Sequence, residues 1–377
     1  MSTQQVPVWL DCDPGHDDAF AILLAAYHPA MRLLGISTVF GNASLPKTTN
    51  NASSLLTAIG KDKEITIYPG AAKSLERPAV HAADIHGESG IDGTDLLPPG
   101  LAKIDRTTPA TRAMATALLA EPQGTAWLVA TGSLTNVAAL FNEYPQLAEH
   151  IAGLSIMGGA VGGGFSKAVM GMVDGVPRIG NWSQYAEFNI FIDPEAANRV
   201  FGDEVLSAKT TLVPLDLSHQ VLATESVQQM LLHGRGKSGS VDGEGKPPLR
   251  RMLVELLMFF MKTYRDVFGI SEGPPLHDPI AVAAVLVGSK YEIPFYDWEI
   301  EAGDSSVKER FSVTVVADGH LDDAKTKGSE IGRTVVTPKE PGSPGVRIPR
   351  GLDVDAFWNA IEDCLEEAEK AVSKGGE

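Results

Sequence analysis

The sequence predicts an α/β fold with a mainly parallel, open sheet and helices on both of its faces. The first observation behind this prediction is that apolar stretches with strand character alternate with helical stretches from the N-terminus onward. The second is that a carboxylate-rich segment and a glycine-rich segment each follow a strand, and ligands bind at the carboxyl ends of strands in such sheets. The third is that residues 295–350 contain turn signals between short strands, which indicates a β-rich excursion in the C-terminal part.

The predicted elements follow one another with short polar connections. In chain order they are strand 6–10, helix 17–27, strand 33–40, helix 48–59, strand 126–130, a helix from residue 136, strands 154–157 and 212–215, and an amphipathic helix 354–371. Strand–helix units continue on both sides of residues 158–180 and 234–248, so we expect these two segments to be surface insertions. The prediction is therefore a single domain over residues 1–377, and the acidic residues 362–369 are interpreted as a solvated helix face.

Composition and charge exclude several classes of function. The chain has 31 basic and 48 acidic residues and a formal net charge of −17, which argues against a nucleic-acid partner because such a protein needs a basic face. No run of eighteen apolar residues occurs, and residues 1–7 lack the pattern of a signal peptide. The two cysteines, Cys12 and Cys364, lie at opposite ends of the chain, which favours a reducing, cytoplasmic location.

Four aspartates lie within eight residues where the first strand turns into the first helix: Asp11, Asp13, Asp17 and Asp18. Carboxylates packed at one strand end repel one another unless protons or a cation relieve the repulsion. Oxygen ligands select a hard ion such as Ca²⁺ or Mg²⁺ rather than zinc. The alternative is that Asp17 or Asp18 caps the helix while the other carboxylates face water.

The segment DCDPGHDDA at residues 11–19 resembles the N-terminal signature of the inosine-uridine preferring nucleoside hydrolase family. Further segments continue the resemblance in the same order: FGN at 40–42, HGESGIDG at 86–93, ATGSLTNVA at 130–138, MGG at 157–159, AEFNIFIDPEAA at 186–197 and HDP at 277–279. The likeness runs from about residue 6 to about residue 290 and is weaker in the C-terminal part.

This resemblance implies the nucleoside hydrolase fold, which is Rossmann-like, and calcium-dependent hydrolysis of the N-glycosidic bond of ribonucleosides to ribose and free base. It implies that Ca²⁺ is bound by Asp13, Asp18, Asp278 and the backbone carbonyl of Thr131. It further implies that Asp13 is the general base for the attacking water and that His277 protonates the leaving base. The remaining residues that it assigns to the substrate are Asp17, Asn42, His86, Met157, Asn181, Glu187 and Asn189. Family members are usually dimers or tetramers, so a homodimer or homotetramer is expected.

The residues themselves support some of these assignments more than others. Glu187 and Asn189 flank an apolar residue in a strand-like run, which would place both side chains on one face. The ordinary pKa of histidine, near 6.5, suits His277 for general acid work at neutral pH. Tyr264 and Trp182 are candidates for stacking on a base, although aromatic residues in such positions also pack into cores. Asn42 has an alternative role in a turn, and Met157 an alternative role in the core.

His16, His81 and His219 have no such support and are interpreted as structural or surface residues.

The length of segment 158–180 is similar to that of fungal uridine hydrolases, which predicts a uridine-preferring or broad enzyme, with a purine-preferring enzyme as the alternative. Two alternative functions fit part of the sequence. A phosphohydrolase of the haloacid dehalogenase type would use Asp11-Cys12-Asp13 to form a phosphoenzyme, but it leaves segments 186–197 and 277–279 unexplained. A non-catalytic nucleoside- or sugar-binding protein would use the same pocket without turnover.

Overall fold

A six-stranded parallel sheet forms the centre of the molecule, in the strand order β3-β2-β1-β4-β5-β8. The computed structural model describes residues 5–173, 175–237, 239, 246–259, 261–297, 308–324 and 328–375. Within these residues the strands are β1 (Val6–Cys12), β2 (Met31–Thr38), β3 (Ile67–Pro69), β4 (Trp127–Ala130), β5 (Gly153–Met157), β6 (Met172–Val173), β7 (Val176–Pro177), β8 (Thr210–Val213), β9 (Phe295–Tyr296), β10 (Phe311–Val315), β11 (Thr334–Pro338) and β12 (Gly351–Leu352). The predicted α/β class with a mainly parallel sheet is confirmed.

Helices cover both faces of this sheet. They are α1 (Asp18–Tyr27), α2 (Leu45–Ala58), α3 (Ala83–His86), α4 (Ala110–Ala120), α5 (Thr135–Glu143), α6 (Leu147–His150), α7 (Phe188–Ile192), α8 (Pro194–Gly202), α9 (Glu204–Lys209), α10 (Leu215–Ser218), α11 (Glu225–His233), α12 (Pro248–Phe259), α13 (Met261–Thr263), α14 (Asp278–Ala283) and α15 (Val354–Gly375). A π-helical turn spans Tyr264–Phe268. No helix in the described part of the chain has the length and apolar character needed to cross a membrane.

Strand β1 shows why the sheet needs cover on both sides. Its side chains alternate between the two faces, as in any strand. Val8 and Leu10 belong to one buried cluster, which includes α1, α14 and α15, whereas Trp9 belongs to a second cluster, which includes α4, α5 and α8. Because β1 is buried on both faces, it reads as a nearly continuous apolar run rather than as an alternating pattern.

The register of the parallel strands fixes where the polar segments meet. Cys12 pairs with Thr38 of β2, and Asp11 pairs with Ala130 of β4. The residues that follow these three strands, including Asp13 and Thr131, therefore emerge side by side at one edge of the sheet.

Several predicted bounds shift, and one predicted element changes its type. Strand β1 continues to Cys12, and helix α2 begins at Leu45, where Pro46 occupies a favourable first-turn position. The strand predicted to end at Leu215 ends at Val213, because Leu215 already begins α10. The strand-like run around Glu187 and Asn189 is not a strand, since Phe188–Ile192 is helix α7.

The irregular segments are only partly described. Residues 158–180 contain the small antiparallel hairpin of β6 and β7, whereas much of segment 234–248 lies outside the described residues. The predicted β-rich excursion contains two antiparallel pairs, β10 with β11 and β9 with β12, and residues 298–307 and 325–327 lie outside the description. The division into one domain with two insertions stays a prediction.

The interpretation of residues 362–369 as a solvated face is wrong for Glu362, which is fully buried. Both of its carboxylate oxygens accept hydrogen bonds from Arg250 of α12, at 2.9 and 3.0 Å. The amphipathic period of α15 identifies its apolar face, but it does not reveal a charged residue that is buried through a partner 112 positions away.

Candidate active site

Four aspartates converge, fully or almost fully buried, at the carboxyl edge of the sheet: Asp13, Asp17, Asp18 and Asp278. Asp13 follows β1, Asp17 and Asp18 begin α1, and Asp278 begins α14. Asp17, Asp18 and Asp278 each offer a carboxylate oxygen within 4.8 Å of the others. Two distant parts of the chain, segment 13–18 and Asp278, thus supply acidic groups to one buried point, and this cluster could hold a metal ion.

Asp13 lies between two backbone segments that leave it almost no room. Its Oδ2 accepts a hydrogen bond from the Asn42 amide at 2.8 Å. A Cβ atom on Gly41 would lie 1.9 Å from this Oδ2, and one on Gly132 would lie 2.7 Å from Oδ1. Both glycines are therefore required by the close approach of the backbone to Asp13. Asp13 Oδ1 is buried and has no hydrogen-bond partner among the described residues.

Asp18 is held by the turn that precedes its helix. Its Oδ2 accepts a hydrogen bond from Gly15 N at 2.9 Å, and its Oδ1 accepts one from Thr131 Oγ1 at 3.0 Å. Asp17 occupies the N-cap position of α1, but its side chain makes no capping hydrogen bond. The alternative that Asp17 merely caps the helix is therefore wrong.

Burial dominates the electrostatics of this cluster. Burial, and after it the neighbouring carboxylate of Asp17, together raise the pKa of Asp18 to about 7. Burial, followed by the charges of the other aspartates, raises the pKa values of Asp13 and Asp278 well above the ordinary range. No lysine or arginine in the described residues forms an ion pair with these groups. The orphaned Asp13 oxygen and the all-oxygen donor set both fit a hard divalent cation.

A cavity of about 350 Å³ opens above the aspartates. Eleven of the residues that the sequence predicts for the site line it: Asp17, Asn42, His86, Thr131, Met157, Asn181, Glu187, Asn189, Tyr264, His277 and Asp278. Asp13 and Asp18 are not among the lining residues and lie deeper. The structure thus brings the predicted residues together around one cavity, while their individual roles stay predictions.

Glu187 and Asn189 reach the cavity by a different route from the predicted one. Glu187 is the N-cap of α7, where its Oε1 accepts from Asn189 N at 2.9 Å and its Oε2 accepts from Ile190 N at 3.1 Å. The same Oε2 accepts from Gly159 N at 2.8 Å, which ties α7 to the end of β5. Burial raises the pKa of Glu187 to about 7. The two side chains are neighbours because of a helix cap, not because of strand alternation.

The amide of Asn189 binds protein groups. Its Nδ2 donates to the carbonyl oxygen of Thr131 at 2.9 Å and to that of Met157 at 3.3 Å. The first of these carbonyls is a predicted calcium ligand. Asn189 therefore orients this carbonyl as well as lining the cavity.

His277 is enclosed rather than exposed at the mouth of the pocket. Its Nδ1 lies 2.7 Å from Ser218 Oγ and its Nε2 lies 2.6 Å from the hydroxyl of Tyr264. Burial lowers the pKa of His277 well below its ordinary value, so the ring is neutral at neutral pH. The ring of Tyr264 stacks on that of Phe268 with ring centroids 5.0 Å apart. Tyr264 belongs to the π-helical turn, a deformation that often occurs at functional sites.

His86 is oriented by His16, which is fully buried rather than on the surface. His16 Nε2 lies 2.6 Å from the carbonyl oxygen of Asp92, and His16 Nδ1 lies 2.9 Å from His86 Nδ1. A carbonyl only accepts, so His16 carries its proton on Nε2 and its Nδ1 accepts from His86. Burial lowers the pKa values of both rings, which are therefore neutral at neutral pH. In this tautomer the Nε2 of His86 is a hydrogen-bond acceptor.

Sequence reasoning missed part of the cavity wall. Arg178, Val267 and Phe268 also line the cavity. The signal that could have identified Arg178 is a basic residue within a glycine-rich insertion, three positions before the predicted substrate residue Asn181.

Asp11 decides against the phosphohydrolase reading. Its side chain is fully buried, and its Oδ1 accepts hydrogen bonds from Ser37 Oγ at 2.5 Å and from Asn136 Nδ2 at 2.8 Å. It does not line the cavity. A substrate cannot reach this carboxylate, so Asp11 serves to hold β1, β2 and α5 together.

Comparison with known proteins places the chain among its relatives. Residues 8–359 match the family described as inosine-uridine preferring nucleoside hydrolase. The chain is 38% identical to the uridine nucleosidase of Saccharomyces cerevisiae over the full length of both proteins. It is 36% identical to a pyrimidine-specific ribonucleoside hydrolase of Citrobacter koseri, over 74% of this chain and 79% of that protein.

Among solved structures, a purine-preferring ribonucleoside hydrolase from Gardnerella vaginalis superimposes with a TM-score of 0.72. The superposition covers 97% of this chain and 99% of the other, at 23% sequence identity. At this level of identity the likeness concerns the fold alone.

Proposed function

The chain belongs to the inosine-uridine preferring nucleoside hydrolase family, and from this premise we propose that it hydrolyses ribonucleosides to ribose and free base in a calcium-dependent reaction. The observation that carries the proposal is the buried aspartate cluster beneath the cavity, in which Asp13 has an orphaned oxygen and no lysine or arginine of the described residues forms an ion pair. A nucleobase and a ribose are small enough to enter such a cavity, and the cluster lies at its floor.

Asp13, Asp18, Asp278 and the carbonyl of Thr131 would hold Ca²⁺, which supplies positive charge that lowers the pKa of the attacking water. The chain's own residues account for the remaining steps. Through its Oδ1, which has no partner among the described residues, Asp13 accepts a proton from the water that attacks C1′. The C1′–N bond lengthens through an oxocarbenium-like transition state, and its electron pair leaves with the base. Attack on the face opposite the leaving group resembles the arrangement of inverting glycosidases.

The ribose hydroxyls would be held by polar groups on two sides of the cavity. Asp17 and Asn42 line the side next to α1, and Asn181, Glu187 and Asn189 line the side next to α7. Met157 at the end of β5 supplies an apolar contact for the sugar ring. Holding the ribose in this way orients C1′ toward the water and contributes to the rate through positioning.

His277 would take up a proton from solvent and pass it to the departing base through the Tyr264 hydroxyl, which lies 2.6 Å from its Nε2. Ser218 holds the other ring nitrogen and fixes the orientation of the ring. His86 lines the same cavity and offers an acceptor to a hydroxyl or an N–H group of the substrate.

For the base we propose a preference for uridine or a broad specificity. The support is the full-length similarity to a protein named uridine nucleosidase and the partial similarity to a pyrimidine-specific hydrolase. A purine-preferring enzyme is the second candidate. We further propose a cytoplasmic homodimer or homotetramer; the two free, buried cysteines fit a reducing compartment.

The test is to incubate the purified protein with uridine, cytidine, inosine or guanosine, with calcium or with a strong chelator, and to measure free ribose. We expect ribose release without added phosphate, loss of release on deep chelation and recovery on adding calcium. The ranking of the four substrates then determines the base preference. A folded protein that binds calcium and releases no ribose from any of the four would overturn the proposal in favour of a binding role.

A further inference from the structure

Arg178 is a cation in the cavity wall for which neither the calcium site nor the ribose contacts provide a use. It follows the β6–β7 hairpin and lines the cavity together with Tyr264 and Phe268. Its guanidinium carbon lies 5.1 Å from the centroid of the Phe268 ring, and this ring stacks on Tyr264. Arg178 therefore belongs to the part of the wall that holds Tyr264 and His277, where the leaving base is expected.

Two of the guanidinium nitrogens are anchored to backbone. Nε donates to Gly180 O at 2.7 Å, and Nη2 donates to Asn181 O at 3.0 Å. These contacts fix the plane of the guanidinium on its own loop. Nη1 makes no hydrogen bond to any residue that the structure describes, and no carboxylate in the described residues pairs with Arg178.

A partly buried cation without an acidic partner is unusual, because burial penalises the charge unless an electron-rich group compensates. Burial lowers the pKa of the Arg178 guanidinium, but an arginine side chain keeps its proton at neutral pH. The adjacent His219 brings no charge, since burial lowers its pKa to about 4. The free N–H groups of Arg178 are thus available to an acceptor that arrives with the substrate.

We propose that Arg178 is a catalytic and specificity-determining residue whose guanidinium donates to a carbonyl oxygen of the nucleobase and stabilises the negative charge on the departing base. This inference rests on the proposed hydrolase function. As the C1′–N bond breaks, its electron pair passes to the base and spreads onto the ring carbonyl oxygens. A new C1′–O bond forms to water, whose proton goes to Asp13, and the base nitrogen then takes up the proton that His277 and Tyr264 pass on from solvent.

This role distinguishes substrates by the chemistry of the base. Uracil, cytosine, hypoxanthine and guanine carry at least one carbonyl oxygen, whereas adenine carries none. Donors aimed at a position where charge develops act mainly on turnover. Arg178 should therefore favour carbonyl-bearing bases and contribute little to adenosine hydrolysis.

The test compares Arg178→Met with the wild-type enzyme, loaded with calcium, on uridine, cytidine, adenosine and 4-nitrophenyl β-D-ribofuranoside. We expect kcat for uridine to fall about 10²–10³-fold, the loss seen when one preorganised donor to a developing anion is removed. Adenosine should fall much less, and the nitrophenyl riboside should stay near the wild-type rate, since its leaving group departs without assistance. A loss for uridine and cytidine alike assigns the contact to O2, and a loss for uridine alone assigns it to O4.

Arg178→Lys keeps the charge without the two backbone anchors and should recover part of the uridine rate. Arg265→Met removes an exposed arginine that pairs with Asp266 on the π-helical turn, and its rates should match the wild type.

Equal losses for all four substrates in Arg178→Met would overturn the proposal, because they would indicate that Arg178 only organises its loop. If Arg178→Met does not fold, a Lys variant whose uridine-to-adenosine ratio equals the wild-type ratio overturns it. A wild-type enzyme that hydrolyses no nucleoside overturns the proposed function and this inference together, whereas an active wild type with an unselective variant overturns this inference alone.

Discussion

The buried carboxylates beneath α15 and those at the carboxyl edge of the sheet differ in how their charge is compensated. In the helical layer beneath α15, Glu362 is paired with Arg250, which also donates to Glu369 at 2.7 Å and to Leu231 O at 2.6 Å. At the carboxyl edge of the sheet, Asp13, Asp18 and their neighbours receive hydrogen bonds from backbone groups and from neutral side chains such as Thr131, and no lysine or arginine of the described residues pairs with them. In the first region, an arginine of the chain compensates the negative charge of the carboxylate. In the second region, the negative charges are compensated only when protons or a cation bind. In this protein the acidic cluster without a basic partner lies beneath the cavity, whereas the paired Glu362 links α12 to α15.

The largest expected effect concerns Asp13. Asp13→Asn keeps the size of the side chain and removes the proton acceptor, so turnover of uridine should fall about 10²–10⁴-fold, the contribution of a general base. Because the substitution also removes one of several repelling charges, the calcium-free variant should unfold at a temperature equal to or above that of the wild type. Ribose release and thermal unfolding in chelator measure the two effects. Near-normal turnover would exclude Asp13 as the base.

The paired region should respond in the opposite way. Arg250→Met leaves Glu362 buried without its partner, which should lower the free energy of unfolding by about 3–5 kcal/mol. The specific activity of the folded fraction should stay unchanged, and calcium should not restore the lost stability beyond its effect on the wild type. Urea unfolding with and without calcium tests this. The control is Arg199→Met, which removes an exposed ion pair with Glu76. If Arg250→Met lowers the free energy of unfolding by less than this control does, the buried pair is dispensable.

The pH dependence of stability separates the two regions further. The folded-state pKa of Asp18 is raised to about 7, above its unfolded value, so the folded state binds the extra proton and is stabilised at low pH. In the presence of a chelator, the free energy of unfolding of the wild type should fall by up to about 4 kcal/mol relative to that of Asp18→Asn as pH rises from about 4 to about 7. Unfolding free energies of both proteins across this range measure the difference. A constant difference would mean that Asp18 ionises normally in the calcium-free protein.

Calcium binding gives the smallest of these effects. At a free calcium concentration about 100 times Kd, the free energy of unfolding of the wild type should rise by about 2.7 kcal/mol. Asp278→Asn should show a smaller rise at the same concentration, because one ligand charge is lost. Thermal unfolding over a calcium titration provides the measurement. An equal rise in both proteins would place the ion elsewhere.

The sheet is predictable from sequence because it depends on local patterns: apolar runs followed by polar strand ends identify β1, β2 and β4. The site residues, among them Asp13, Asp18 and Asp278, are instead predicted through motifs that resemble those of the nucleoside hydrolase family. What the sequence does not reveal depends on long-range geometry. The helix cap at Glu187 overrides a strand-like pattern, the enclosure of His277 by Ser218 and Tyr264 comes from three separate segments, and Arg178 reaches the cavity only through the path of its loop.

The close packing of Gly41 and Gly132 against Asp13 has a consequence for how this protein can be altered. The backbone that follows β2 and β4, the two strands beside β1, packs directly against Asp13, so any side chain at these two positions would displace this carboxylate, the proposed general base. Part of the wall around the leaving group belongs instead to segment 158–180 and the π-helical turn, which are independent of the sheet register. Variants with other residues at Gly41 and Gly132 should all be inactive. Exchange of segment 158–180 between relatives should instead change the base preference and leave the aspartate cluster unchanged. New specificities are thus reachable by recombination of one loop.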